Sequence, residues 1–143
     1  MRDLQRSDRN RVAFRDTASD TKIVVYYATP TTSQVRAYRQ ATIRRKGGKV
    51  VVSTFDPGLK FGLEIVTGFD DGCFGHAGKP ISCDPNSPDY REDWKQLLAE
   101  TASDIVTMVA QVAFDGLRLD GQAEPEFDEG EEEAEDILPL GKS

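Results

Sequence analysis

The fold is decided by the stretch Lys22-Ile-Val-Val-Tyr-Tyr-Ala-Thr-Pro-Thr-Thr-Ser-Gln34. Its first six residues are mostly β-branched or aromatic, and they predict a short strand that ends before the Thr-Pro pair. Thr31 and Gln34 have the spacing of a capping box, in which each side chain bonds to the other residue's backbone amide. The stretch therefore predicts a strand that is followed closely by a helix.

The helix that begins at this cap has a half-apolar face and a basic side. The apolar positions recur at helical spacing, and they are Val35, Tyr38, Ala41 and Thr42. The basic residues fall mostly on the other side, and they are Arg36, Arg39, Arg44, Arg45 and Lys46. Because glycine commonly ends helices, we expect the helix to continue to the pair Gly47-Gly48.

The remainder of the central region predicts two further helical segments. Residues 49–55 favour a short extended run, and residues 57–67 a helix, although Gly58 and Gly62 weaken it. Residues 70–88 are dense in turn-forming residues and predict a long loop. Ser87-Pro88 then predicts the start of a helix to about residue 114, with a possible division within residues 101–104. The expected core residues are Tyr26, Val35, Tyr38, Leu59, Leu63, Val66, Phe69, Trp94, Leu98, Ile105, Val109 and Val112.

Charge divides the chain into unlike segments. Residues 1–49 contain 12 bases and 4 acids, whereas residues 115–143 contain 2 bases and 11 acids. We therefore expect a flexible Arg-rich arm over residues 1–21, a domain over residues 22–115, and an acidic disordered tail over residues 116–143. The expected fold class is mainly α, a small helical domain with a short N-terminal β element between the arm and the tail.

Composition excludes several classes of protein. No stretch approaches the ~18–20 apolar residues that span a bilayer, and the N-terminus lacks the apolar segment of a secretory signal. Two cysteines in 143 residues do not make a disulfide framework. These features favour a soluble cytoplasmic protein without a membrane partner.

One loop carries residues of possible chemical interest. Cys73, His76 and Cys83 lie there with Asp84 beside the second thiol. Their spacing matches no common zinc module, and a Cys–His nucleophilic pair would lack an orienting third group. We therefore expect no catalytic residue, no metal site and no cofactor, and the chain is not expected to be an enzyme.

The basic helix offers a second possible site. Arg36, Arg39, Arg44 and Arg45, with five arginines upstream, could bind an anionic partner such as a nucleic acid. Against nucleic acid, the acidic remainder of the chain would compete for the same arginines. The alternative is a solvated face that pairs with the tail or with an acidic protein.

The order of short motifs also carries a family resemblance. A strand is followed by the helix start Thr29-Pro-Thr-Thr-Ser-Gln-Val-Arg36, and later by Ile65-Val-Thr-Gly-Phe-Asp70. Gly78-Lys-Pro-Ile81 and Pro88-Asp-Tyr-Arg-Glu-Asp-Trp94 come next, before a last amphipathic helix. Over about residues 22–115 this pattern resembles the small tail assembly chaperones of long-tailed bacteriophages and prophages.

The resemblance implies a non-catalytic role in virion assembly. Such proteins bind the tape-measure protein, keep its hydrophobic helices soluble and recruit tail-tube subunits. The expected partner-binding residues are aromatic side chains near the ends of the helices: Phe61, Phe69, Phe74, Tyr90 and Trp94. The alternatives are a structural virion component, such as a head–tail connector or minor tail protein, and a small nucleic-acid-binding protein.

Overall fold

The computed structural model describes residues 1–117 and 119–120, and this part of the chain has a mixed α/β fold. The expectation of a mainly α domain is therefore wrong. The elements in chain order are β1 (Asn10–Asp16), β2 (Thr21–Tyr27), α1 (Thr32–Thr42), β3 (Ile43–Lys46), β4 (Lys49–Val52), α2 (Phe55–Ile65), β5 (Val66–Phe69), β6 (Gly75–His76), β7 (Lys79–Pro80), α3 (Trp94–Thr101) and α4 (Ser103–Asp115).

The main sheet has the antiparallel order β1-β2-β5. The strand β1 occupies residues that we expected to form a flexible arm, and this corrects that prediction. Alternate residues of β1 are half-buried, and among them Val12 and Phe14 pack against the core. Since period-two burial is the pattern of a strand with one covered face, these two side chains hold the basic segment on the domain.

The helix α1 begins as expected but ends four residues early. The capping box is confirmed, because the Gln34 amide donates to Thr31 Oγ1 at 3.0 Å and the Thr31 amide donates to Gln34 Oε1 at 2.9 Å. The chain after Thr42 forms β3, which pairs with β4 through Gly47-Gly48. Both glycines have positive φ, +59° and +81°, so this pair makes a hairpin turn rather than a helix end.

The later helices also differ in their bounds. The helix α2 covers residues 55–65 rather than 57–67, and the expected helix start at Pro88 is wrong, since α3 begins at Trp94. The expected division is present, because α3 and α4 meet at Ala102 with a 98° bend. The tail was expected over residues 116–143, of which residue 118 and residues 121–143 lie outside the described residues.

The core lies between the main sheet and the helices. The expected core residues Tyr38, Val66, Phe69, Leu98 and Val109 are buried, whereas Val112 is 42% exposed. Val112 follows the apolar spacing of α4 but falls on its outer side. The buried core also contains residues that we did not expect there, namely Ile23, Val25, Phe61, Ile65, Ile81, Val106, Ala110 and Phe114.

The length and apolarity of the helices bear on whether one of them could cross a membrane. Among the described helices, none alone has the length and apolarity to cross a bilayer, although α3 and α4 taken together satisfy that test across their sharp bend.

Candidate functional site

The hairpin of β3 and β4 stands out because every residue from 43 to 52 is exposed. Its base is closed by a hydrogen bond in which the Ser53 amide donates to the Thr42 carbonyl at 2.9 Å. The register places Ile43 opposite Val52 and Lys46 opposite Lys49. Because a two-stranded ribbon is marginally stable alone in water, such an exposed hairpin is a candidate for pairing with another molecule.

The register divides the hairpin side chains between two faces. Residues that lie directly opposite share a face, and successive residues along a strand alternate. One face carries Ile43, Val50 and Val52 together with Arg45, and we call it the apolar face. The other carries Arg44, Lys46 and Lys49 together with Val51, and we call it the basic face. The hairpin is therefore amphipathic.

The apolar face is open to solvent. Ile43 is 57% exposed, Val50 is 59% exposed and Val52 is 67% exposed. Phe55, at the start of α2 three residues beyond the hairpin, is 54% exposed. Isolated exposed aliphatic residues are common on protein surfaces, but three on one face of a projecting ribbon form a contiguous apolar surface of the kind that binds proteins.

The predicted arginines do not form one helix face. Arg36 and Arg39 lie on α1 and are exposed. Arg44 and Arg45 lie on β3 and are successive strand residues, so they point to opposite faces of the hairpin. Arg44 also lines a groove between α1 and α2 with Lys60. Of the six basic residues from Arg36 to Lys49, four therefore lie on the hairpin, which has no acidic residue.

The predicted aromatic residues mostly belong to the interior. The Phe69 ring has edge contacts with Phe74 and Trp94, at centroid distances of 4.9 and 5.7 Å. Phe61 lies in another cluster, 5.9 Å from the Tyr38 ring. Phe69 and Phe61 are buried, and Phe74 and Trp94 are half-buried.

Tyr90 differs from the other four predicted aromatic residues because it is 37% exposed. Its amide donates to the Ser87 carbonyl in the loop that precedes α3. The structure therefore brings three of the five residues together around Phe69 and leaves Tyr90 as the only exposed one of the five.

The two thiols bond to backbone groups. Cys73 Sγ accepts from the Val24 amide at 3.3 Å, and Cys83 Sγ accepts from the Phe69 amide at 3.4 Å. His76 Nδ1 lies 3.0 Å from a guanidinium nitrogen of Arg91. Within the described ranges, no group of three His, Cys, Asp or Glu residues has the arrangement of a metal site.

The clearest perturbed group lies near the base of the hairpin. Tyr38 in α1 is buried, and its hydroxyl donates to Asp115 Oδ2 at 3.0 Å. Burial, reinforced by the hydrogen bond to this carboxylate, raises the pKa of Tyr38 to about 12. Asp115 and Tyr38 line one small pocket with Thr54 and Phe55, which follow the hairpin. The end of α4 therefore lies beside the hairpin's base.

A second shifted group is Lys95 at the start of α3. Burial lowers the pKa of Lys95, and the nearby charge of Glu64 opposes this. The Lys95 ammonium donates to the Leu63 carbonyl at 2.7 Å, which ties α3 to α2. This lysine has a structural role in joining two helices.

Sequence reasoning missed the apolar face of the hairpin. The available signal was the pair Gly47-Gly48 between two short runs, Ile43-Arg-Arg-Lys46 and Lys49-Val-Val-Val52. Two glycines between such runs are a hairpin signal as well as a helix stop. Reading the pair as a hairpin turn assigns Ile43, Val50 and Val52 to one face.

Comparison with known proteins adds no relative. No protein-family model, curated protein or solved structure matches the chain.

Proposed function

We propose that this chain is a non-catalytic assembly factor that binds a protein partner through the apolar face of the β3–β4 hairpin. The observation that carries the proposal is the exposure of Ile43, Val50 and Val52 on one face of a ribbon whose ten residues all contact solvent. The motif order that resembles tail assembly chaperones supports a phage or prophage tail assembly role. On that proposal the partners are the tape-measure and tail-tube proteins, and binding occurs in the host cytoplasm.

Energetics favour a protein partner for this face. Burial of each of the three aliphatic side chains would contribute about 1–2 kcal/mol, since each is more than half exposed in the free chain. The outer edge of each hairpin strand can also accept a further strand through backbone hydrogen bonds. A hydrophobic client segment supplies both kinds of contact, which is the chemistry expected of a chaperone's substrate.

The test removes the apolar character of the face while keeping its strand preference. The triple variant Ile43→Thr, Val50→Thr and Val52→Thr keeps β-branched side chains and puts a hydroxyl in place of the ethyl group of Ile43 and of one methyl group of each valine. Each protein is co-expressed with the protein encoded directly downstream, then purified by affinity and size exclusion. We expect the variant to retain at least about tenfold less partner than the unchanged chain.

The matched control is Val51→Thr, which makes the same chemical change on the basic face. We expect it to retain the partner like the unchanged chain, and both variants to unfold at the same temperature because all four positions are exposed. Equal retention by the triple variant and the unchanged chain would reject the apolar face as the binding surface.

A second candidate function rests on the basic face. Arg44, Lys46 and Lys49 share one side of the hairpin, which fits an anionic partner such as a nucleic acid. This function requires that binding weakens steeply with salt and falls when Arg44 and Lys46 become Gln, while the Thr variants bind normally.

A structural virion component, the other alternative, would be found in purified particles, whereas an assembly chaperone would not.

A further inference from the structure

The hairpin and the acidic C-terminal segment have complementary chemistry. The hairpin has four cations and three exposed aliphatic residues on its apolar face within ten residues. Residues 128–136 contain seven acids, and Ile137-Leu-Pro-Leu140 follows them directly. We propose that this segment of the same chain, residues 128–140, docks on the β3–β4 hairpin and covers it.

The last described helix ends close to the hairpin, so the distance from that helix end to the hairpin is short. Asp115, at the end of α4, lines a pocket with Thr54 and Phe55, immediately after the hairpin. Residues 115 to 128 can span up to about 43 Å, whereas a strand of four residues is only about 13 Å long. The segment therefore reaches every part of its own hairpin without rearrangement of the domain.

Tethering strengthens an interaction that would be weak between separate molecules. A short linker gives the segment a local concentration in the millimolar range, which exceeds the protein concentration in ordinary solutions. Each exposed ion pair is weak and screened by salt, but the acid run meets several cations at once. Own-chain docking is thus favoured over docking on a second copy.

Docking would also protect the exposed surface. The ion pairs would neutralise Arg44, Arg45, Lys46 and Lys49, and residues 137–140 would lie against the apolar face. A partner that binds the apolar face would have to displace the segment. This regulatory consequence rests on the proposed function, whereas the docking itself does not.

Limited trypsin digestion of the full chain tests the docking, because four cleavage sites lie in the hairpin: after Arg44, Arg45, Lys46 and Lys49. The unchanged chain is compared with the variant Glu131→Gln, Glu132→Gln and Glu133→Gln at low salt. We expect hairpin cleavage about fivefold faster in the variant, the factor for losing three exposed ion pairs. At about 0.5 M salt the difference should vanish.

Two controls separate docking from a general effect of charge. The variant Asp89→Asn, Glu92→Gln and Glu100→Gln removes three exposed acids of the folded domain and should digest like the unchanged chain. Cleavage after the exposed Arg6 in the same digests is the internal standard and should not change. Acceleration at Arg6 equal to that at the hairpin would overturn specific docking.

Two further outcomes would also overturn the proposal. The first is equal hairpin cleavage in the unchanged chain and the Glu131–Glu133 variant at low salt. The second is protection that increases with protein concentration, because it would assign the occupant to a second copy. The digest contains no partner protein, so its result is independent of the partner-retention experiment.

Discussion

Tyr38 of α1 contacts side chains of both α2 and α4 in the core. Its ring stacks on Phe114 of α4 at a centroid distance of 4.4 Å and an interplanar angle of 9°, and it meets the edge of Phe61 of α2. Its hydroxyl donates to Asp115. A single side chain of α1 thus contacts both other helices of this cluster. These contacts bury the phenol, and burial together with the hydrogen bond to Asp115 accounts for its raised pKa.

Ionisation of Tyr38 lowers the free energy of unfolding at alkaline pH. Because folding raises the pKa of this phenol to about 12, its contribution is complete below the ordinary value near 10 and is lost as pH rises to about 12. We expect Tyr38→Phe to lower the free energy of unfolding by about 1 kcal/mol at pH 7 and to reduce the alkaline loss. Urea denaturation at pH 7, 9 and 11 measures both effects.

The matched control for this residue is Tyr90→Phe, since Tyr90 is 37% exposed. It should leave both the neutral-pH stability and the alkaline loss unchanged. An alkaline loss in Tyr38→Phe as large as that of the unchanged chain would show that the pH dependence arises elsewhere.

Among the elements, α2 and α4 make the closest helix contact. A Cβ added at Gly62 of α2 would lie 2.6 Å from the Val106 carbonyl oxygen and 2.8 Å from Val106 Cγ1. At Gly58, one turn earlier, the nearest atom would be Thr107 Cγ2 at 3.4 Å. The first distance is a clash with backbone, whereas the second is close to an ordinary contact.

These two glycines give opposite predictions for the same substitution. Gly62→Ala should destabilise the chain by about 1–3 kcal/mol, because α4 must move away from α2. Gly58→Ala should be neutral or stabilise by up to about 1 kcal/mol, because alanine favours the helix. Chemical denaturation of both variants measures the difference, and equal stability of the two would contradict the close approach at Gly62.

At the scale of the whole molecule, the main sheet depends on contacts between distant parts of the chain. The central strand β2 pairs with β1 on one edge and with β5, about 40 residues later, on the other. The segment before β1 is also held, because the Thr29 amide donates to the Ser7 carbonyl at 2.8 Å. The basic N-terminal segment is therefore part of the folded domain from about Ser7 onward.

Truncation distinguishes a folded strand from a free arm. Deletion of residues 2–16 should lower the free energy of unfolding by about 3 kcal/mol or more, because Val12 and Phe14 leave the core and β2 gains a bare edge. Deletion of residues 2–6 keeps Ser7 and should have little effect. Thermal unfolding measures both effects. Equal melting temperatures for the two deletions would support the prediction of a flexible arm over residues 1–21.

The candidate surface was only partly predictable. The basic residues Arg44 and Arg45 are evident in the sequence, but their helical assignment concealed that they face opposite sides of a hairpin. Phe61 and Phe69 were expected at a binding surface and lie in the core. An aromatic residue type indicates only that the side chain tends to be buried. Whether it is buried in the chain's own core or against a partner depends on packing.

The sequence by itself determined the structural features that depend on interactions between residues a few positions apart. The capping box at Thr31 and Gln34, the strand at residues 22–27 and the break near Ala102 follow from short-range hydrogen bonding and side-chain preference. Only the tertiary structure decided that β1 joins the sheet and that residues 43–52 form an exposed ribbon. The first outcome depends on the packing of Val12 and Phe14 against a core built by segments distant in sequence, and this packing outweighs the polar composition of the first 21 residues. The second depends on which surfaces the other described elements cover, since the hairpin itself pairs neighbouring residues and is left exposed.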